Sequence, residues 1–276
     1  MALNLDDGSL MAVKQIHLPD TSTSGGGSSS VRIIETEVAI LIQLRHPNIV
    51  RYIHAERSTP SIISIFTELM PGGSVTTVMK SFGGSLVGKV LVQYLRQVLL
   101  GLGYLHNQHV IHRDLKCANL LVDQHGVVKL ADFGCSYRFS GLRSVAATNG
   151  NRNSNGNGSA TSSESGEAKD WFTGSIPWMA PEALQSKPPQ RSSDIWSLGI
   201  TTIEMATGHH PFRQYDTHMA MMFAIAQLAA PPTCHMPALP QLDDFLKQSM
   251  AIEPGLRWTT EQLLLHPFVE TPPSNT

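Results

Sequence analysis

The sequence predicts an α+β fold in two lobes, a small β-rich N-lobe followed by a larger, mainly helical C-lobe. Three observations lead there. Over residues 3–16, short apolar runs flank Asp6, Asp7 and Gly8, and Asp-Gly is a strong hairpin signal. Residues 62–67 form a run rich in β-branched side chains, suited to a buried strand. From residue 87 onward the apolar positions recur mainly at helical spacing. A length of 276 residues exceeds the usual size of a single core, which favours two lobes in one unit.

Composition excludes several classes. Hydrophobic content of 41% is enough for a packed interior. Lys and Arg number 20 against 22 Asp and Glu, a near balance that argues against nucleic acid as a partner held by a basic face. Cys117, Cys135 and Cys234 are odd in number and lack C-x-x-C spacing, which suits reduced thiols in a cytoplasmic chain. No run approaches ~18 uninterrupted apolar residues. The start carries Asp6 and Asp7 where a secretory leader is basic and apolar, so neither a membrane span nor a signal peptide is expected.

Taken in order, the second strand of the first hairpin carries Met11, Ala12, Val13 and Lys14. Residues 21–30, with Gly25, Gly26 and Gly27, form a flexible polar connector. Over residues 31–45, Val31, Ile34, Val38, Leu41 and Ile42 recur at helical spacing, with Glu37 beside that apolar face. Residues 87–108 carry a helical pattern that delivers the chain to a buried, strand-like Val110 and Ile111. A second hairpin joins residues 120–122 and 127–130. Residues 148–169 collapse to mostly Asn, Gly, Ser, Thr and Glu, from which no core can form, and are expected to be disordered. Helices are expected over 194–206, 216–228, 242–250 and 260–265, the last opened by a capping box between Thr259 and Gln262. Met79, Met219, Met221 and Met222 suit core or groove packing. Residues 270–276 form a polar tail.

The chemistry concentrates in His112, Arg113, Asp114, Leu115, Lys116, Cys117, Ala118 and Asn119, followed after the second hairpin by Asp132, Phe133 and Gly134. The stretch supplies a carboxylate able to accept a proton, a nearby lysine, an amide ligand and a second carboxylate. Phosphoryl transfer needs such a set, because its transition state spreads charge over three oxygens and is stabilised by positioning and cations. Asn119 and Asp132 offer hard oxygens suited to Mg²⁺ bridged by phosphates.

These residues, with W-M-A-P-E at 178–182 and D-I-W-S-L-G at 194–199, resemble the protein kinase superfamily and its H-R-D-L-x-x-x-N and D-F-G signatures. The resemblance implies a bilobal kinase domain over residues 1–269, with a partial N-lobe at 1–67, a hinge at 68–73 and a C-lobe at 74–269. It implies ATP and Mg²⁺ as cofactors and a protein substrate, with a downstream kinase as the candidate. Asp114 would take the proton of the attacking hydroxyl and Lys116 would sit against the transferred phosphate; lysine at 116 favours a Ser/Thr kinase. Lys14 would hold ATP phosphates and pair with Glu37, while Asn119 and Asp132 would hold metal. Ala12 and Leu121 would enclose the adenine, whose edge would meet backbone groups of Glu68 and Met70, with Thr67 as gatekeeper. Leu41, Tyr52, His112 and Phe133 would stack as a regulatory column. Phosphorylated Thr173 would pair with Arg113, and Ser175 would lie near the catalytic aspartate. Glu182 with Arg257, and Asp194 beneath the catalytic loop, would be structural. The strings M-A-V-K-Q, L-R-H-P-N-I-V-R-Y, P-G-G-S and W-M-A-P-E look most like MEKK-type mitogen-activated protein kinase kinase kinases.

One departure from the family pattern stands out. A glycine-rich G-x-G-x-x-G loop is expected before the strand lysine, and none precedes Lys14; Gly25, Gly26 and Gly27 follow it. Two readings therefore stay open: a Ser/Thr kinase, or a pseudokinase or fragment acting as a non-enzymatic interaction module.

Overall fold

Four antiparallel strands, in the order β1-β2-β4-β3, build the amino-terminal sheet. They are β1 (Ala2–Leu3), β2 (Leu10–His17), β3 (Tyr52–Thr59) and β4 (Ile62–Glu68). The computed structural model describes residues 1–17, 41–59, 61–132, 137–138 and 174–270. The connector at 21–30, Glu37, Phe133, the 148–169 run, Thr173 and residues 271–276 lie outside the described residues.

The first turn forms where Asp-Gly predicts it. Gly8 sits at φ 71°, and the Gly8 N–H donates to the Asn4 carbonyl at 2.9 Å. Register then places Lys14 opposite Ile65 and Ala12 opposite Thr67, which in turn faces Tyr52 from the other side. Strand β3 has no sequence signature. After the buried Tyr52 it runs through His54, Glu56, Arg57, Ser58 and Thr59, all exposed, because it is an edge strand paired only to β4. Its partner supplies the order: Ile63, Ser64 and Ile65 of β4 are buried. Of the helix expected at 31–45, the described part is residues 41–43, where Leu41 is buried in the same core as Tyr52.

The second lobe is organised on two long helices. Among the described helices, α1 (Val75–Ser81) and α2 (Gly88–Asn107) come first. Ser74 caps α1 by accepting from the Thr77 N–H. Leu91, Leu95, Leu99 and Leu102 recur at three- and four-residue spacing on α2 and are wholly buried, each worth roughly 1.5–3 kcal/mol of apolar burial. Gly101 is required there, since a Cβ would lie 2.6 Å from the Asn48 carbonyl oxygen. Short strands follow: β5 (Gly73–Ser74), β7 (Leu120–Val122) and β8 (Val128–Leu130) form one sheet, and β6 (Val110–Ile111) pairs with β9 (Tyr137–Arg138).

Helices α3 (Pro181–Leu184), α4 (Arg191–Thr207), α5 (His218–Ala226), α6 (Leu242–Ser249), α7 (Thr260–Leu264) and α8 (Pro267–Glu270) complete the lobe. Helix α4 is buried from Asp194 to Ala206 and stops at Gly208, φ 85°. It begins three residues earlier than expected, at Arg191, so Asp194 lies in its first turn. Helix α5 is shorter than the predicted 216–228 because Thr217 caps its start, accepting from the Ala220 N–H. The capping box of Thr259 and Gln262 is present at α7. The fold is α+β throughout.

Backbone bonds couple the two parts. The Val50 N–H donates to the Leu130 carbonyl and the Leu130 N–H to the Asn48 carbonyl, both at 2.9 Å. The Asn48 side-chain amide adds a bond to the Val128 carbonyl at 2.9 Å. The segment leading to the amino-terminal sheet is thereby stitched along β8, which ends just before Asp132.

Candidate active site

The loop that follows β6, residues 112–119, is hung from one buried carboxylate. Asp194, wholly buried in α4, accepts from the His112 N–H and the Arg113 N–H, each at 2.9 Å, and lies 2.9 Å from His106 Nε2. Burial alone would raise the Asp194 pKa. The His106 bond and charge, with His112 and the Arg113 N–H, outweigh it and hold the group below its ordinary value. Those bonds stabilise Arg113 at φ 69°, a left-handed conformation unfavourable for a side chain with Cβ. The turn carries Asp114 out of β6.

His112 closes the loop against the second motif. Burial pushes its imidazole below the usual range and so holds it neutral. Nδ1 accepts from the Asp114 N–H at 3.3 Å, which leaves Nε2 to donate to the Ala131 carbonyl at 3.1 Å.

Around Asp114 three donors converge. Oδ2 accepts from Lys116 Nζ at 2.9 Å and Asn119 Nδ2 at 2.8 Å, and Oδ1 accepts from the Ser175 N–H at 3.0 Å. Burial would raise this acid too, but the Lys116, Ser175 and Asn119 bonds prevail and its pKa is lowered. Asp114 is therefore a carboxylate at neutral pH. Lys116 Nζ also donates to Ser175 Oγ at 2.5 Å, so one ammonium spans the acid and the hydroxyl.

Asp132 lies one residue beyond this network. The Ala131 N–H donates to the Asn119 carbonyl at 2.9 Å, which sets Asn119 and Asp132 on adjoining backbone. Asp132 adopts φ 60° and its carboxylate meets Lys14 Nζ from β2. Residues far apart in sequence, 14, 114, 119 and 132, are thus linked through short hydrogen-bonded steps. The donor set suits a hard divalent cation: Asn119 Nδ2 is turned to Asp114, which leaves its amide oxygen, like the Asp132 carboxylate, a hard oxygen that could bind one. No cluster of three or more His, Cys, Asp or Glu that could hold a metal occurs among the described residues. Phosphate oxygens would have to complete such a shell.

At the other end, Leu121 packs on a small buried group of Val50, Met70 and Ala131, and Ala12 stands on β2 opposite Thr67. The Met70 carbonyl already accepts from the Gly73 N–H at 3.1 Å. The Glu68 side chain is committed to Lys129, at 3.0 and 2.8 Å, and to the Arg51 N–H. Below the loop, Arg257 makes a bidentate pair with Glu182 at 2.7 and 2.8 Å, and its guanidinium lies 5.1 Å over the Trp196 ring.

Sequence reasoning missed Lys129, His106 and Glu204. Lys129 and His106 sit among ordinary strand and helix residues, with no local pattern to mark them. Glu204 carried the one available signal, an acid inside the apolar run of α4. Glu37 and Thr173 lie outside the described residues, so their expected pairings with Lys14 and Arg113 are not placed.

A family model described as protein kinase domain matches residues 1–269. Among curated proteins, mitogen-activated protein kinase kinase kinase 3 of Arabidopsis thaliana is 38% identical over 270 residues, 98% of this chain and 38% of its own length. Mitogen-activated protein kinase kinase kinase A of Dictyostelium discoideum is 35% identical over 98% of this chain and 26% of its own length. Cytokinesis protein sepH of Emericella nidulans is 38% identical over 97% of this chain and 17% of its own length. The chain spans less than two-fifths of the length of these relatives. No helix among the described residues is long and apolar enough to cross a membrane.

Proposed function

The chain belongs to the protein kinase domain family, and on that premise we propose that it phosphorylates serine or threonine in a protein substrate, acting as a mitogen-activated protein kinase kinase kinase. The carrying observation is the setting of Asp114, a carboxylate kept ionised beside Lys116 and the Ser175 segment. ATP with Mg²⁺ supplies the phosphoryl group and neutralises its charge.

Asp114 orients the substrate hydroxyl and accepts its proton, with Ser175 lining the place where that hydroxyl enters. Lys116 sets a positive charge beside the acid, where the transferred group gathers negative charge. Lys14, aligned by Glu37, holds nucleotide phosphates and exchanges its contact with Asp132 for them. Asn119 and Asp132 hold Mg²⁺. Ala12 and Leu121 cover the adenine faces, and the hinge at 68–73 presents its edge with the Glu68 carbonyl and the Met70 N–H. Residues 1–67 then act as a partial N-lobe and 74–269 as the C-lobe. Thr173, once phosphorylated, engages Arg113 and raises activity. Glu182, Arg257 and Asp194 keep the frame in which these groups meet.

The relatives' names support a downstream kinase as the substrate. A cytoplasmic setting suits the buried, unpaired thiols of Cys117 and Cys234. Asp114→Asn should lower kcat at least about 100-fold with ATP binding retained. Equal turnover in wild type and variant would remove Asp114 from the role, and a folded wild-type chain that transfers no phosphate would leave the non-enzymatic module.

A further inference from the structure

Helix α4 carries one acid that the reaction as described does not use. Glu204 is only 8% exposed, and its Oε2 accepts two bonds, from the Cys117 N–H at 3.0 Å and from Trp178 Nε1 at 2.9 Å. The two donors belong to different walls of the site. Cys117 opens the 3₁₀ turn Cys117–Asn119, whose last residue bonds Asp114. Trp178 closes the 3₁₀ turn Ile176–Trp178, which follows Ser175, the other neighbour of Asp114. A single oxygen therefore joins the segments that flank the proton acceptor on both sides.

Burying that carboxylate is costly. Desolvation raises its pKa, and the Cys117 N–H, the Trp178 indole and the Lys116 charge offset this only in part. Trp178 is anchored from further directions: its carbonyl accepts from Ser197 Oγ at 2.7 Å, and its ring meets His210 edge-on at 5.4 Å. Gly174, at the other end of the segment, lies so close to the loop that a Cβ would stand 2.8 Å from the Arg113 carbonyl oxygen. Residues 174–178 are thus pressed on the catalytic loop at one end and tied to α4 at the other.

We propose that Glu204 and Trp178 are positioning residues that set the spacing between the Asn119 turn and the 174–178 segment, and so align the protein substrate's hydroxyl with Asp114. This rests on the kinase reading and deepens it. The Trp178 end of the bridge lies on the Ser175 side of Asp114, away from β2 and the hinge, so loss of the indole bond falls on the protein substrate and not on ATP, whereas loss of Glu204 also frees the turn that carries Asn119.

The test is steady-state phosphorylation of myelin basic protein by the full chain with Mg²⁺ and ATP, alongside thermal unfolding. Trp178→Phe keeps the ring bulk and removes the N–H. It should lower kcat/KM for the protein about tenfold, the scale of one hydrogen bond to a charged group, with KM for ATP unchanged and only a small fall in Tm, since Glu204 Oε2 keeps the Cys117 N–H. Glu204→Ala should do at least as much, and Glu204→Gln, which keeps an acceptor oxygen, should recover most of the activity. Adding Trp178→Phe to Glu204→Ala should cost nothing further, because the indole acts through that oxygen. The proposal fails if Trp178→Phe leaves kcat/KM for the protein unchanged, or weakens ATP and protein alike, in a preparation whose wild type is active and whose Asp114→Asn is not. Should Glu204→Ala not fold, Trp178→Phe decides alone. An inactive wild type, or an Asp114→Asn as active as wild type, instead overturns the kinase reading beneath it.

Discussion

Lys129 Nζ reaches both carboxylate oxygens of Glu68, at 3.0 and 2.8 Å, and clamps the strand that precedes Asp132 to the last residue of β4. Glu68 also accepts from the Arg51 N–H at 2.7 Å, so one side chain holds three segments at the junction of the lobes.

The clamp sets the first prediction. Lys129 and Glu68 are 15% and 22% exposed, between a surface pair and a buried one. Lys129→Ala leaves the Glu68 carboxylate without its cation and should cost about 1–2 kcal/mol, above the surface range and below the buried one. Urea unfolding measures it. A loss indistinguishable from that of an exposed lysine such as Lys80 would show that the pair contributes nothing.

Glu182 and Arg257 provide the stronger case. Their side chains are 4% and 0% exposed, so removing either partner strands a charge in the interior. Glu182→Gln should destabilise by about 3–5 kcal/mol, seen as a large fall in Tm or in soluble yield. Arg257→Met should be comparably harmful, because it leaves the Glu182 carboxylate unmatched. Wild-type stability in either variant would contradict the pair's importance.

Acid should unfold the C-lobe through Asp194 and Asp114. Both acids have folded pKa values below the ordinary 3.8, in each case because bonds to cations and donors overcome burial. A carboxylate lowered on folding adds stability that is complete above its unfolded pKa and lost as pH falls through the folded one. Glu204 has the opposite sign, since burial raises it above 4.5 and its ionisation subtracts stability above the folded value. Unfolding free energy should therefore decline from about pH 4 downward, and less steeply in Asp194→Asn, which lacks the more deeply buried acid. Parallel declines in the two proteins would refute this role for Asp194.

Much of the architecture was legible in local pattern. The Asp-Gly turn, the β-branched run of β4, the apolar face of α2 and the Thr259–Gln262 box each carry their cause within a few residues. Strand β3 was illegible because its own side chains are polar and its order comes from β4. The start of α4 was misplaced because Asp194 looks like a cap, whereas its carboxylate is spent on the His112 and Arg113 N–H groups and His106.

The order and types of residues by themselves singled out Asp114, Lys116, Asn119 and Asp132 as one candidate set, because each proposed role demands a particular functional group. Which of those groups are charged, and which neighbours hold them, was decided only by tertiary structure. Ionisation and alignment depend on burial and on donors brought from distant segments: Ser175 to Asp114, Lys14 to Asp132, Lys129 to Glu68, Trp178 to Glu204. No local pattern encodes those distances, since they arise only when α4, β8 and the 174–178 segment are each brought against residues remote in the chain.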